Sequence, residues 1–405
     1  MIRLGAAILL AAGAIALDLL LLSVLRIEWS QVSVLVSLLC IAALAFGGWR
    51  LSKRRNVGRH APPESPANRQ PPIANRLHHL FDLLTVAVVA SYAIFATWAS
   101  PYEWDFFGIW GSKGRAFFEA GGVSLEVLRA VEKPDYPPLI PLLFDFAAVI
   151  AGGWNDLVFG WIYVVLCGAW ILIARGMFAE DVRWPALATL AIAFPALNLW
   201  IGLAEAGVMA FGCAGVLFIR RGNVHLGAVF LGLAAWSKNE GLALIAVTAI
   251  ALLVATRSVR RVLQLWPAAA VIAPWLLTRS ALKLTTDFLE GSVTERVFER
   301  LRNFGEVVRA FAASPPDQPW FWLAAFLTVL VFLREAIRRE LFLLVVVSLQ
   351  FGLMVAQALA TKWDLAAHVS LTMNRLPHQI APLAGFLAVV LLFRFFEGND
   401  SPQRH

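Results

Sequence analysis

The sequence predicts an all-α polytopic membrane protein, and three observations predict it. Hydrophobic residues make up 60% of the 405, and the mean hydropathy is +0.71, more apolar than a soluble chain of this length covers with polar surface. Apolar runs of about 16–22 residues recur along the chain, each long enough to cross a bilayer as a helix. The basic residues fall in short clusters between those runs: "WRLSKRR" from Trp49, Arg220 with Arg221, "RSVRR" from Arg257 to Arg261, and "REAIRR" from Arg334 to Arg339. That is a positive-inside distribution. The net charge of +7 therefore reports topology, and nucleic-acid binding is set aside.

In chain order, the expected spans cover residues 4–25, 32–50, 80–98, 155–175, 184–202, 205–220, 223–237, 239–256, 264–281, 319–334, 340–360 and 377–395. With a short apolar segment at 138–152, this gives about 12–13 transmembrane helices, with interfacial helices in the large outer loops. The first run is too long for a signal-peptide core and ends in no small-residue cleavage site, so it is expected to stay as a span. Residues 1–50 form an N-terminal helix pair. Residues 51–78 carry six Lys or Arg and one Glu among Pro and Asn, a basic cytoplasmic linker. Residues 79–395 form the main membrane domain, and 396–405 a short polar tail. Cys40, Cys167 and Cys213 all lie inside apolar runs, without metal-ligand spacing or a disulfide framework.

Orientation follows from the linker. With 51–78 inside, 99–137 is outside; the basic turns at 220–222, 257–261 and 334–339 place 203–205, 238–240, 282–318 and 361–376 outside as well. The two halves agree if 138–175 makes one net crossing, so 138–152 is expected to be a re-entrant half-helix, with a full span as the alternative. The unusual polar residues then gather on one face.

The outer stretch "YEWDFFGIWGSKGRAFFEAGG" starts that gathering. Phe106, Trp110 and Phe117 recur near helical spacing with Lys113, Arg115 and Glu119 between them, and Gly121–Gly122 closes the pattern. It predicts an amphipathic helix lying in the interface with its aromatics among the headgroups, and Asp105 at its N-cap. "TERVFERLRNFGEVVRAF", with Val297, Leu301, Phe304 and Val308 on one stripe, predicts a second such helix. Glu205, inside an apolar run, needs a partner or a function. So does Lys238, a cation between two apolar runs on the face where the charge rule disfavours it.

An acid early in the first large outer loop, an interfacial helix, and then "YPPLIPLL" opening the next segment together resemble the GT-C membrane glycosyltransferases. The nearest branch is that of the dolichyl-phosphate-mannose protein mannosyltransferases and lipid A aminoarabinose transferases. "GLAEAGVMAFGCAGVLFIRRGNVHLGAVFLGLAAWSKNEGLALI" looks like that family's paired helices ending in Lys-Gly. "NRLPHQIAPLAGFLAVV" looks like its entry to a late span. The likeness covers roughly residues 80–395. Many members carry an adjacent acidic pair where this chain has Glu103 and Asp105 separated by Trp104. Helices 4–50 and the linker have no counterpart in the shared core.

The resemblance implies transfer of a sugar from a polyprenyl-phosphate donor to a lipid or glycan acceptor. It also implies an integral protein of a bacterial cytoplasmic membrane, with the site facing the periplasm or outside. Such a reaction needs a carboxylate to take the acceptor's proton and cations to hold the leaving phosphate. Asp105 is the expected base, with Glu103 as the alternative. Lys238, with Glu240 beside it, and Arg375 are expected on the phosphate, supported by Lys113. Tyr136, Glu205 and His378 are expected nearby as substrate-binding groups. No cofactor is required, although some GT-C relatives use a divalent ion. The rival reading is a transporter or flippase of lipid-linked sugars, against which stand the lack of an internal repeat and the charges at one face instead of the midplane.

Overall fold

The computed structural model describes residues 1–41, 43, 72–101, 103–284 and 291–399, so residues 51–71 of the linker expected at 51–78 and residues 400–405 of the tail expected at 396–405 lie outside the described residues. Among the described residues every regular element is helical. Four helices are long and apolar enough to cross a membrane, Ile2–Val24, Arg76–Trp98, Asp156–Asp181 and Leu341–Ala360, and a fifth counts if a bent pair is taken as one. That is compatible with an α-helical membrane protein, and among the described residues fewer helices can cross on their own than the 12–13 expected. The other apolar runs are cut by tight turns, prolines and bends into helices such as Val224–Ser237 and Glu240–Thr256.

The bundle has two polar ends. At the first, called here the carboxylate end, lie Asp105, Glu205, Lys238 and Arg375; at the other, the arginine end, lie Asp181, Arg220, Glu340 and Arg394. Helix α1 (Ile2–Val24) packs against α6 (Leu139–Ala151) and α7 (Asp156–Asp181), with Gly5 and Gly13 allowing close approach to Ala169 and Leu233. The N-terminal pair was expected to stand apart; α1 instead belongs to the core, its buried stripe running from Gly5 to Leu22. α2 (Gln31–Ile41) follows a short loop tied to Gly121 by Trp29. α3 (Pro72–Trp98) begins inside the segment expected to be linker and runs to the carboxylate end.

Residues 106–119 form a π-helical turn, Phe106–Trp110, followed by α4 (Gly111–Glu119), and Gly121 at φ +67° closes it as expected. The aromatic stripe does not lie among headgroups. Phe106, Trp110 and Phe117 are buried, Phe106 edge-on to Phe144 of α6, because α6 supplies the apolar partner the sequence pattern could not name. α5 (Leu125–Ala130) is a short turn capped by Ser124. The 13-residue α6 starts beside Tyr136 at the carboxylate end. Its last turn accepts a hydrogen bond at Ile150 from Gln31, which follows α1 at the same end. The C-terminal turn of α6 thus packs beside the α1–α2 connection. α7 then runs the full length, and Asp181 closes it at the arginine end.

The span expected at 184–202 is helical only as α8 (Pro185–Ala193); the chain then bends back to Glu205, the bend held by Tyr92 donating to Asn198 O and Tyr163 donating to Leu203 O. α9 (Glu205–Gly207), a second π turn (Val208–Gly212) and α10 (Cys213–Arg220) make one continuous rod. α11 (Val224–Ser237) returns and α12 (Glu240–Thr256) descends again. α13 (Val259–Leu263) is a short turn before α14 (Trp266–Ala281). The second amphipathic segment is two helices, α15 (Val293–Arg302) and α16 (Phe304–Ala313), broken at Asn303. Its arginines have a structural use: Arg300 and Arg296 donate to the carbonyls of Ala358, Leu359 and Ala360, the open C-terminal end of α19. α17 (Pro319–Val331) and α18 (Leu333–Arg339) replace the straight span at 319–334 with a 78° bend. α19 (Leu341–Ala360), α20 (Leu365–Thr372), a 3₁₀ turn (Leu376–Gln379) and α21 (Ala381–Asn399) complete the chain.

Candidate functional site

Four chain segments converge at the carboxylate end. Asp105 sits one residue before the first π turn in helical φ/ψ, and its side chain caps no backbone N–H. Asp105 holds the N-cap position expected of it, but the carboxylate turns away from the helix: Oδ2 lies 2.6 Å from Arg375 Nη2. Arg375 enters from the turn between α20 and the 3₁₀ segment, with Pro377 fixing the chain just beyond it. The same guanidinium places its buried Nε 3.7 Å from Glu205 Oε1, and that Nε has no hydrogen-bond partner among the described residues.

Glu205 is fully buried in the first helical turn after the 194–204 bend, where the partial positive charge of a helix start favours a carboxylate. Its Oε1 accepts from Lys238 Nζ at 2.8 Å, and Lys238 Nζ lies 3.4 Å from Glu240 Oε1. Lys238 is placed by a two-residue turn between α11 and α12. That turn needs Gly241, where any Cβ would run into the Ala234 backbone. Burial works against the Lys238 charge, but Glu205 and Glu240 beside it hold its pKa above the ordinary lysine value.

The result is a chain of alternating charge, Asp105–Arg375–Glu205–Lys238–Glu240, carrying three carboxylates and two cations. Glu103 joins at longer range: burial raises its pKa, and Arg375 pulls it back. A cavity of about 530 Å³ opens on this chain, lined by Asp105, Arg375, Lys238, Glu240, Tyr136 and Trp104, with Trp363 and His368 on the wall contributed by α20 and the residues before it. Tyr136 stacks on Trp110, ring centroids 5.4 Å apart and 19° from parallel.

Of the residues singled out in the sequence, Asp105, Tyr136, Lys238, Glu240 and Arg375 line this cavity, and Glu205 lies behind them as the buried link between the two cations. Two do not join it. Lys113 is fully buried and donates to the carbonyls of Lys133 (2.9 Å) and Tyr136 (2.8 Å), so it pins the loop that presents Tyr136 and meets no phosphate. Burial pushes its pKa down to about 7, with Asp135 opposing. His378 is buried, its Nε2 3.6 Å from Asp317, off the cavity lining. Sequence reasoning missed His368, Lys133 and Trp363. An isolated histidine in the short apolar stretch "LAAHVSLT" on the outer face was the available signal. Burial, with Arg300 and Arg375 adding to it, lowers His368 to about 4, so its ring is neutral near pH 7. Among the described residues no three His, Cys, Asp or Glu side chains come together as metal ligands.

No protein-family model matches the chain, and no curated protein or solved structure matches it either.

Proposed function

We propose that the protein is a GT-C-like glycosyltransferase that moves a sugar from a polyprenyl-phosphate donor to a lipid or glycan acceptor at the outer face of a bacterial cytoplasmic membrane. The observation that carries the proposal is the Asp105–Arg375 ion pair on the wall of the cavity that also holds Lys238. A base and two cations within one cavity match what the reaction asks for. As the anomeric C–O bond to phosphate breaks, charge grows on the leaving phosphate, and Arg375 and Lys238 stand where they would hold it. As the acceptor oxygen bonds the anomeric carbon, its proton passes to Asp105.

Both cations are already paired, so the donor phosphate has to compete. Arg375 can meet it, because it lines the cavity and is the group that holds Asp105, while its contact with Glu205, 3.7 Å, is longer than a hydrogen bond. A phosphate drawing Arg375 toward itself loosens Asp105 for proton transfer as the donor arrives. Tyr136 and Trp363 offer aromatic faces to a sugar ring. No metal is given a part.

The test is transfer of radiolabelled sugar from polyprenyl-phosphate donors to extracted lipid and glycan acceptors, in vesicles holding purified wild-type or Asp105→Asn protein. The expected result is transfer by wild type and its loss in the variant. Equal transfer by both removes Asp105 as base. Movement of lipid-linked sugar across the bilayer without transfer makes the protein a transporter.

A further inference from the structure

We infer that the arginine end of the bundle holds the headgroup phosphate of an anionic phospholipid, in a site separate from the carboxylate end. Two adjoining cavities open there, about 730 and 420 Å³, and both are lined by Gly222 and Arg261. Between them they present six arginines, at 220, 221, 260, 261, 339 and 394, against two carboxylates, Asp181 and Glu340.

The floor is built from interlocked ion pairs. Arg220 lies 2.8 Å from Asp181 and 2.6 Å from Glu340, and Arg394 reaches the same two carboxylates at 3.2 and 2.7 Å. Arg221 pairs with Asp181 at 2.9 Å and with Glu180, and Arg339 with Glu335 at 2.9 Å. Four carboxylates therefore stand against six arginines, counting Glu180 and Glu335 outside the lining. The two cations left over are Arg260 and Arg261, which have no ion-pair partner among the described residues. A planar guanidinium donates two parallel hydrogen bonds to phosphate, so an unpaired Arg beside a prebuilt basic floor is suited to an anionic phosphate.

The surroundings select a lipid over a free phosphate. Arg260 and Arg261 sit on the short α13 with Val259 and Leu263, both more than 60% exposed, and Trp266 follows at 64%. Ile219, Leu252 and Phe342 add apolar wall to the larger cavity. Basic side chains flanked by bare apolar ones and an interfacial Trp are the pattern of a leaflet boundary, where acyl chains run beside the protein and phosphates sit at its edge. Nothing in this inference depends on glycosyl transfer; it depends on the chain being embedded in a membrane.

The test uses the full-length protein in mild detergent, with retained lipid counted by native mass spectrometry. The probes are phosphatidylglycerol and phosphatidylcholine with the same acyl chains. Wild type is expected to retain phosphatidylglycerol preferentially, and the Arg260→Gln/Arg261→Gln double variant to bind it roughly thirtyfold more weakly, as expected for two basic groups at a membrane surface. Arg338→Gln, an exposed neighbour outside both cavities, is expected to bind as wild type. Equal retention of both lipids, or an unchanged double variant, overturns the site. Displacement of the lipid by millimolar inorganic phosphate overturns the lipid assignment in favour of a soluble phosphate. Alkaline carbonate extraction of native membranes is the separate check: release of the protein overturns the membrane placement itself.

Discussion

Glu205 and Lys238 form a 2.8 Å ion pair at the carboxylate end, with Glu205 fully buried and Lys238 nearly so. Neither has an acceptable solitary state there. Removing one partner leaves the other with a single, longer contact, Arg375 at 3.7 Å for Glu205 or Glu240 at 3.4 Å for Lys238, a loss that approaches the cost of a broken buried pair, about 3–5 kcal/mol, whereas apolar replacement of both is often close to neutral. Lys238→Met is therefore expected to lower the thermal midpoint sharply in detergent. Glu205→Leu combined with Lys238→Met is expected to recover most of the loss while leaving the protein without sugar transfer. A single variant as stable as wild type would show that the pair is not held as described.

The turn that delivers Lys238 depends on Gly241. A Cβ there meets the Ala234 backbone, which has no flexible end to move aside. Gly241→Ala is expected to destabilise by about 1–3 kcal/mol, the range for overpacking, and to displace Lys238 from Glu205. Reduced transfer with a lowered midpoint is the expected pair of readouts.

Lys113 makes stability depend on pH, and the sign is fixed by its depressed pKa. Folded, it titrates near 7; unfolded, at the ordinary 10.5. Between those values the unfolded chain binds a proton that the folded protein does not. Stability therefore rises with pH across this window and is lost as pH falls from 10.5 toward 7. The wild-type midpoint is expected to climb from about pH 7 to pH 10 more steeply than that of Lys113→Met, in which the titrating group is gone. Parallel curves would place the proton elsewhere.

What was legible in the sequence was set by one-dimensional signals. Glu205 and Lys238 are expensive in apolar runs wherever they lie, so their need for a partner could be read directly, and each turned out to be the other's. The short apolar run at 138–152 was enough to expect the short helix α6. What was not legible depended on partners distant in sequence. Phe106, Trp110 and Phe117 make the same stripe whether they face headgroups or α6. Asp105 takes the N-cap position that its local sequence suits, and only Arg375, far along the chain, draws its carboxylate away from the helix. Lys113 looked like a phosphate ligand because its two carbonyl acceptors, at Lys133 and Tyr136, lie in a loop whose path no periodicity reveals. The 78° bend after Val331 and the bend after Ala193 interrupt hydropathy runs that are continuous in sequence.

The choice between Asp105 and Glu103 as base is open to kinetics. Asp105 lines the cavity and is held by Arg375; Glu103 is off the lining, and burial raises its pKa. A general base contributes about 10²–10⁴-fold, so Asp105→Asn is expected to lower kcat of transfer by that order. The same change frees Arg375 from its 2.6 Å partner, so KM for the polyprenyl-phosphate donor is expected to hold steady or fall. Arg375→Gln is expected to do the reverse to KM, raising it, because the phosphate loses a cation. Glu103→Gln is expected to leave kcat within a few-fold of wild type. If Glu103→Gln abolishes turnover while Asp105→Asn does not, the base is Glu103, and the Asp105–Arg375 pair serves only to position the arginine.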